Sequence, residues 1–211
     1  MLEVLVQDTG ALRALGVSAA VLSVCAFLPY IRDTLVGRTH PHRASWLIWS
    51  VLGCIALGSQ VAQGAHASLW FAAMQVGCTV FIFALTIRRG NGAWLAPGDT
   101  YVLAAAGLGL LMWSVTHTAA YALGMAITVS LLGGICTVRK AYRAPGSETL
   151  STWVLSTVAA ALALLSVGTL DWVLLAYPAY LLVLYAAIVT AILLGRVRAA
   201  DFAGQPKLGP T

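Results

Sequence analysis

The chain has 211 residues, of which 60% are hydrophobic and 9% charged, whereas a soluble domain carries roughly 25% charged residues. This composition excludes an ordinary soluble fold, and crossings of ~20 apolar residues each leave room for several membrane helices and no separate globular domain. The formal charge of +5 raises nucleic acid as a partner, but the basic residues follow the ends of apolar segments, so the charge is a topology signal and nucleic acid is excluded.

At the N-terminus, Glu3 and Asp8 precede the first apolar run, Arg13 is the only basic residue, and no small-x-small cleavage pattern follows. The segment is therefore expected to be retained rather than removed as a signal peptide. Apolar runs bounded by charge or by Gly, Pro and His clusters then predict seven transmembrane helices, at 14–31, 44–63, 68–87, 100–116, 118–138, 151–169 and 172–194. The fourth is the shortest, and Asp99 and Thr100 after Pro97 and Gly98 supply its N-cap.

With seven crossings, the N-terminal tail and the loops after helices two, four and six hold only Arg13 of the 12 basic residues. The opposite side holds Arg32, Arg38, Arg43, Arg88, Arg89, Arg139, Lys140, Arg143, Arg196, Arg198 and Lys207. By the positive-inside rule the C-terminus is cytoplasmic and the N-terminus outside, in a plasma (inner) membrane. A different helix count would scramble this sorting.

Cys25, Cys54, Cys78 and Cys136 form no CxxC pair, His40 and His42 make too small a set, and His66 and His117 are isolated. No metal and no cofactor are expected.

Sliding the chain by 107 residues lays helices one to three on helices five to seven without a gap, pairing Ser23 with Ser130, Arg32 with Arg139, Trp46 with Trp153, Ser59 with Ser166 and Arg89 with Arg196. The spacing divides the chain into a tail and first three-helix unit (1–90), a loop and linker helix (91–117), a second three-helix unit (118–195) and a cytoplasmic tail (196–211). One intervening helix makes the two units enter the membrane in the same direction, a parallel repeat of the kind common in transporters.

Pro29-Tyr30, Thr39, Pro41 and Ser45-Trp46 resemble a PQ-loop with Tyr30 in the glutamine position. The second copy is similar at Arg139, Pro145, Ser147, Glu148, Ser151 and Trp153, with Cys136-Thr137 where Pro and Gln stand in the motif. The chain thus resembles the PQ-loop and SWEET-type transporter superfamily. That resemblance implies an all-α integral membrane protein, with two parallel three-helix bundles joined by a linker helix. It also implies transport of a small solute such as a sugar, vitamin precursor or amino acid. SWEET-type sugar carriers place an asparagine near the middle of the third helix of each unit; here the only asparagine is Asn91, in a loop, and Cys78 and Tyr185 stand at the corresponding depth.

Candidate substrate-binding residues are Ser23, Trp49, Ser50, Cys78, Ser130, Ser156 and Tyr185, whose hydroxyl, thiol and ring groups can replace a solute's water. For the serines the alternative is a bond to their own i−4 carbonyl or to a neighbouring helix. Helix two carries Trp46, Ser50, Gly53, Leu57 and Gln60 along one face, and Gln63 and Gln75 are expected near an outer vestibule. Trp46, Trp70, Trp94, Trp113, Trp153 and Trp172, close to helix ends, are expected in an aromatic belt. Pro29 is the candidate hinge, because a proline frees a helix carbonyl.

No ionisable residue lies deep in a span, which favours facilitated diffusion of a neutral or zwitterionic solute (sugar, nucleoside, vitamin precursor or amino acid) over a buried proton pathway. Asp33 is the one proton-linked candidate, with pairing to Arg32 or Arg38 as its structural alternative. Enzyme chemistry is not expected, since no nucleophile has a base within a span. The rival is a non-transporting receptor or scaffold on the same fold; self-association is left open. A water-accessible cavity between helices one, two, five and six would separate the two, a dry packed centre favouring the scaffold.

Overall fold

The computed structural model describes residues 9–37, 43–90 and 97–203. Thr39, His40, Pro41, His42, Asn91 and Trp94 lie outside the described residues, as do the side chains of Ser45, Asp99, Thr100, Cys136 and Ser147. Among the described residues all regular structure is helical: α1 (Thr9–Leu35), α2 (Arg43–Ala62), α3 (Leu69–Arg89), α4 (Pro97–Thr116), α5 (Ala119–Arg143), a 3-10 turn at Pro145–Ser147, α6 (Leu150–Leu165) and α7 (Trp172–Ala203). Three stretches, Thr9–Leu35, Leu69–Arg89 and Trp172–Ala200, are long and apolar enough to cross a membrane, as membrane-associated helices are.

The helices differ from the apolar runs mainly at their ends. α1, α5 and α7 run four to nine residues beyond the last apolar position, because arginine is a good helix former and a cation suits a helix C-terminus. α4 is described from Pro97, a residue preorganised for a first helical position. α6 ends at Leu165 instead of 169. There the Ser166 hydroxyl donates to the Ala163 carbonyl, and Gly168, at φ +69°, takes the left-handed conformation that turns the chain into α7.

Packing does not follow chain order. α3 packs against both α1 and α2, and α7 against both α5 and α6; α1 then lies on α6, α2 on α5, and α4 rests on α5 and α2. Small residues permit the closest approaches. Ala19, Ala159, Ala160 and Ala163 are each fully buried in one core cluster. A Cβ built at Gly16 would collide with the Ala67 carbonyl oxygen, and one at Gly195 would fall 2.5 Å from the Tyr142 carbonyl oxygen.

Arginines join the helices at one end. Arg43 Nε donates to the Thr86 carbonyl (3.1 Å), Arg89 to the Leu35 carbonyl, and Arg198 to the Tyr142 and Arg143 carbonyls (3.3 and 3.2 Å). The Leu35, Tyr142 and Arg143 carbonyls are end acceptors of α1 and α5, and the Thr86 carbonyl of α3 accepts from Gly90 N as well. Leu35 and Tyr142 are themselves 107 residues apart, so α3 caps α1 at the position equivalent to the one where α7 caps α5.

Candidate functional site

The middle of the molecule holds a polar chain. Ser23 lies on the α1 face that also carries Ala19 and Ala26, a face that Cβ spacing of three and four turns to one side. Its hydroxyl donates to Gln75 Oε1 on α3 (2.8 Å), and Gln75 Nε2 donates to the Tyr185 hydroxyl on α7 (2.6 Å). A carboxamide is donor and acceptor at once, so Gln75 connects α1 to α7 through α3. Gln75 is therefore central and not a vestibule group. The chain is sheathed by Ala19, Phe71, Ala72, Leu181 and Tyr177, all buried.

Ser130 on α5 lies beside the Tyr180 hydroxyl on α7. Both serines paired by the repeat offset thus reach a polar side chain on the helix packed beside them. Cys78 is half-buried one turn beyond Gln75 on α3. Ser156 is buried on α6, one turn beyond Trp153. Ser50 takes the local option, its hydroxyl donating to the Trp46 carbonyl (2.7 Å), as Thr79 does to Gln75 and Thr157 to Trp153.

The arginine-rich end of the centre is aromatic. Trp46 is only 8% exposed; its Nε1 donates to the Tyr30 hydroxyl (3.3 Å), its ring lies 5.2 Å from that of Tyr30, and Trp49 meets it edge-on at 5.3 Å. Trp153 Nε1 donates to Glu148 Oε2 (3.0 Å), and the ring sits 5.7 Å from Tyr185. The aromatic-belt expectation is thus corrected for Trp46 and Trp153, whose indole N–H groups are used inside the protein. Trp70 and Trp172, 54% and 84% exposed, keep the outward position a belt requires.

Pro29 lies inside α1, which continues through it to Leu35, and the Thr34 hydroxyl donates to the Tyr30 carbonyl just past it (2.9 Å). Asp33 is half-buried and already engaged in an interaction. A groove of about 350 Å³ runs between α5 and α7 past Leu131, Ile135 and Leu184 to Arg139; its aliphatic walls suit a hydrocarbon rather than a polar solute. Among the described residues no three His, Cys, Asp or Glu side chains gather in one place.

Of the candidates, Ser23 and Tyr185 are brought together through Gln75, and Tyr30 and Trp49 through Trp46. Gln75, Trp46, Trp153 and Glu148 are the site residues that sequence reasoning assigned elsewhere. The glutamate five residues before Trp153 was the available signal, since a buried indole N–H needs an acceptor. Comparison of the chain with protein-family models, curated proteins and solved structures found no match.

Proposed function

We propose that the chain is a seven-helix membrane transporter of the SWEET-like kind. It carries a small neutral or zwitterionic solute by alternating access between two parallel three-helix bundles, α1–α3 and α5–α7, with α4 as the linker. The observation that carries this reading is the packing order. In each triplet the third helix sits between the first two, and the triplets meet along two equivalent seams, α1 on α6 and α2 on α5, around the Ser23–Gln75–Tyr185 chain. That is the arrangement a parallel repeat about a membrane-normal axis requires.

The arginine-rich end is the cytoplasmic one on this reading, in a plasma (inner) membrane. Ser23, Gln75, Tyr185, Trp49, Cys78, Ser130 and Ser156 are the solute contacts, Pro29 is the hinge, and the absence of ionisable residues deep in the spans supports facilitation rather than proton coupling. Asp33 is the position to examine if coupling is found.

One observation favours the receptor or scaffold instead. Alanines fill the α1–α6 seam, and Ser23, Gln75 and Tyr185 satisfy one another. The test is uptake of radiolabelled sugars, nucleosides, amino acids and vitamin precursors into proteoliposomes, with and without an imposed pH gradient. Saturable uptake indifferent to the gradient is expected. Gradient dependence would implicate Asp33, and no uptake by folded protein would support the scaffold.

A further inference from the structure

α5 and α7 come close where α5 has no side chain: a Cβ built at Gly134 would fall 2.6 Å from Leu184 Cδ1, so Leu184 lies against the α5 backbone. Beside that contact runs the groove of about 350 Å³. Its α5 wall is Leu131, Ile135 and Arg139, which recur every four residues and share one helix face, and its α7 wall includes Tyr180, Val183 and Leu184. Leu131, Ile135 and Val183 are 45%, 41% and 70% exposed. The groove is therefore on the outside of the bundle, where spanning helices meet lipid, and apart from the buried Ser23–Gln75–Tyr185 chain.

The groove has one polar end. Ser130 lies beside Tyr180, Gly134 against Leu184 and Gly195 against Tyr142, so the two helices run in the same direction, with Leu131 and Tyr180 at one end of the groove and Arg139 at the other. Eight residues separate Leu131 from Arg139, about 12 Å at the α-helical rise. Half of a hydrocarbon core is roughly 15 Å, so the groove follows most of one leaflet's depth and Arg139 stands where headgroups begin. Arg43, Arg89 and Arg198 donate to backbone carbonyls. Arg139 is exposed, and no hydrogen bond or ion pair to it occurs among the described residues. Arg143, one turn further along α5, and Arg196, next to the glycine that touches Tyr142, are exposed at the same end.

We propose that the α5–α7 groove binds one anionic phospholipid of the leaflet on the arginine side, an acyl chain lying along Leu131, Ile135 and Val183 and the phosphate meeting Arg139. A guanidinium presents a planar fork of donors that matches two phosphate oxygens. An acyl chain that leaves bulk lipid for the groove gains packing but no hydrophobic free energy, since lipid tails are as apolar as the walls. Selectivity must then come from charge, and a basic end favours a headgroup with net negative charge over one whose own ammonium cancels its phosphate. The proposal rests on α5 and α7 spanning a bilayer and is independent of solute transport.

The test is titration of the full chain, in micelles of a neutral detergent, with phosphatidylglycerol or with phosphatidylcholine of the same acyl chains, the first bound lipid being measured by native mass spectrometry. Phosphatidylglycerol is expected to bind about fivefold more tightly or better. Arg139→Gln should remove most of that preference. Arg32→Gln, the same loss of charge at the position 107 residues earlier, should keep it. Leu131→Trp fills the groove from an exposed position and should weaken binding of both lipids, and glycerophosphoglycerol, the headgroup without its chains, should not displace the bound lipid. Equal affinity for the two lipids, a preference that survives Arg139→Gln or falls equally in Arg32→Gln, binding indifferent to Leu131→Trp, or displacement by the free headgroup would each overturn the site.

Discussion

A single carboxamide holds the middle of this protein, and its replacement has a definite expected cost. Gln75→Leu leaves the Ser23 and Tyr185 hydroxyls without their shared partner, which should destabilise the protein by about 1–2 kcal/mol, in the range of interhelical hydrogen bonds inside membranes. Unfolding in mixed micelles measures it, and a double-mutant cycle with Ser23→Ala should return a coupling energy of ~0.5 kcal/mol or more; strict additivity would show that the two side chains act independently. Ser23 and Tyr185 were legible because each stands 107 residues from a residue of matching depth. Gln75 was not, since its partner lies 110 residues along the chain and no local pattern marks the pair. Trp46 and Trp153 were misread for a related reason: residues near a helix end share one depth whether they face lipid or protein, and only the direction of the side chain separates a belt from a core.

At the scale of the helix, the elements were readable almost to their ends, because apolar runs and helix formers coincide. What could not be read were the extensions through arginine and the early stop of α6, both set by hydrogen bonds to carbonyls. Close approach divides the glycines into two classes with opposite expected behaviour. Gly16→Ala and Gly195→Ala place a methyl group against a backbone carbonyl and should cost about 1–3 kcal/mol. Gly77→Ala and Gly124→Ala meet nothing within 4 Å and should gain up to ~1 kcal/mol from better helix propensity. Thermal unfolding of the four variants in one detergent checks the sign in each case. Pro29 poses a different question, since α1 is unbroken there. Pro29→Ala restores a backbone donor and should reduce flux more than expression or ligand binding; unchanged flux would remove Pro29 from the mechanism.

For the molecule as a whole, the charge pattern predicts which end faces which compartment, and the helix order explains why chain order was a poor guide to neighbours. Sequence suggests that consecutive helices adjoin, whereas α3 and α7 each separate the two helices that precede them. That interposition depends on which faces carry Ala, Gly and Ser, and it emerges only when all six faces are satisfied together. Orientation is directly measurable in right-side-out vesicles of a variant lacking the native cysteines. A cysteine at His66 or Thr118, both exposed, should react with a membrane-impermeant maleimide, and one at Arg143 only after permeabilisation. The reverse pattern would invert the topology.

The alanines of the α1–α6 seam bear on how fast such a molecule can change shape. Ala19, Ala159, Ala160 and Ala163 are fully enclosed, and alanine has no side-chain rotamer to lose or exchange. Two helices meeting through methyl groups can shift along one another as a small shear, without any interlocked side chain having to withdraw and reinsert. Resistance to sliding is then concentrated where the seam ends, at the glutamate and aromatic rings on one side and at Leu12 against the Gly168 turn on the other. On the transport reading, lubrication in the middle and friction at the tips would make the exchange rate a property of a few terminal contacts rather than of the whole interface.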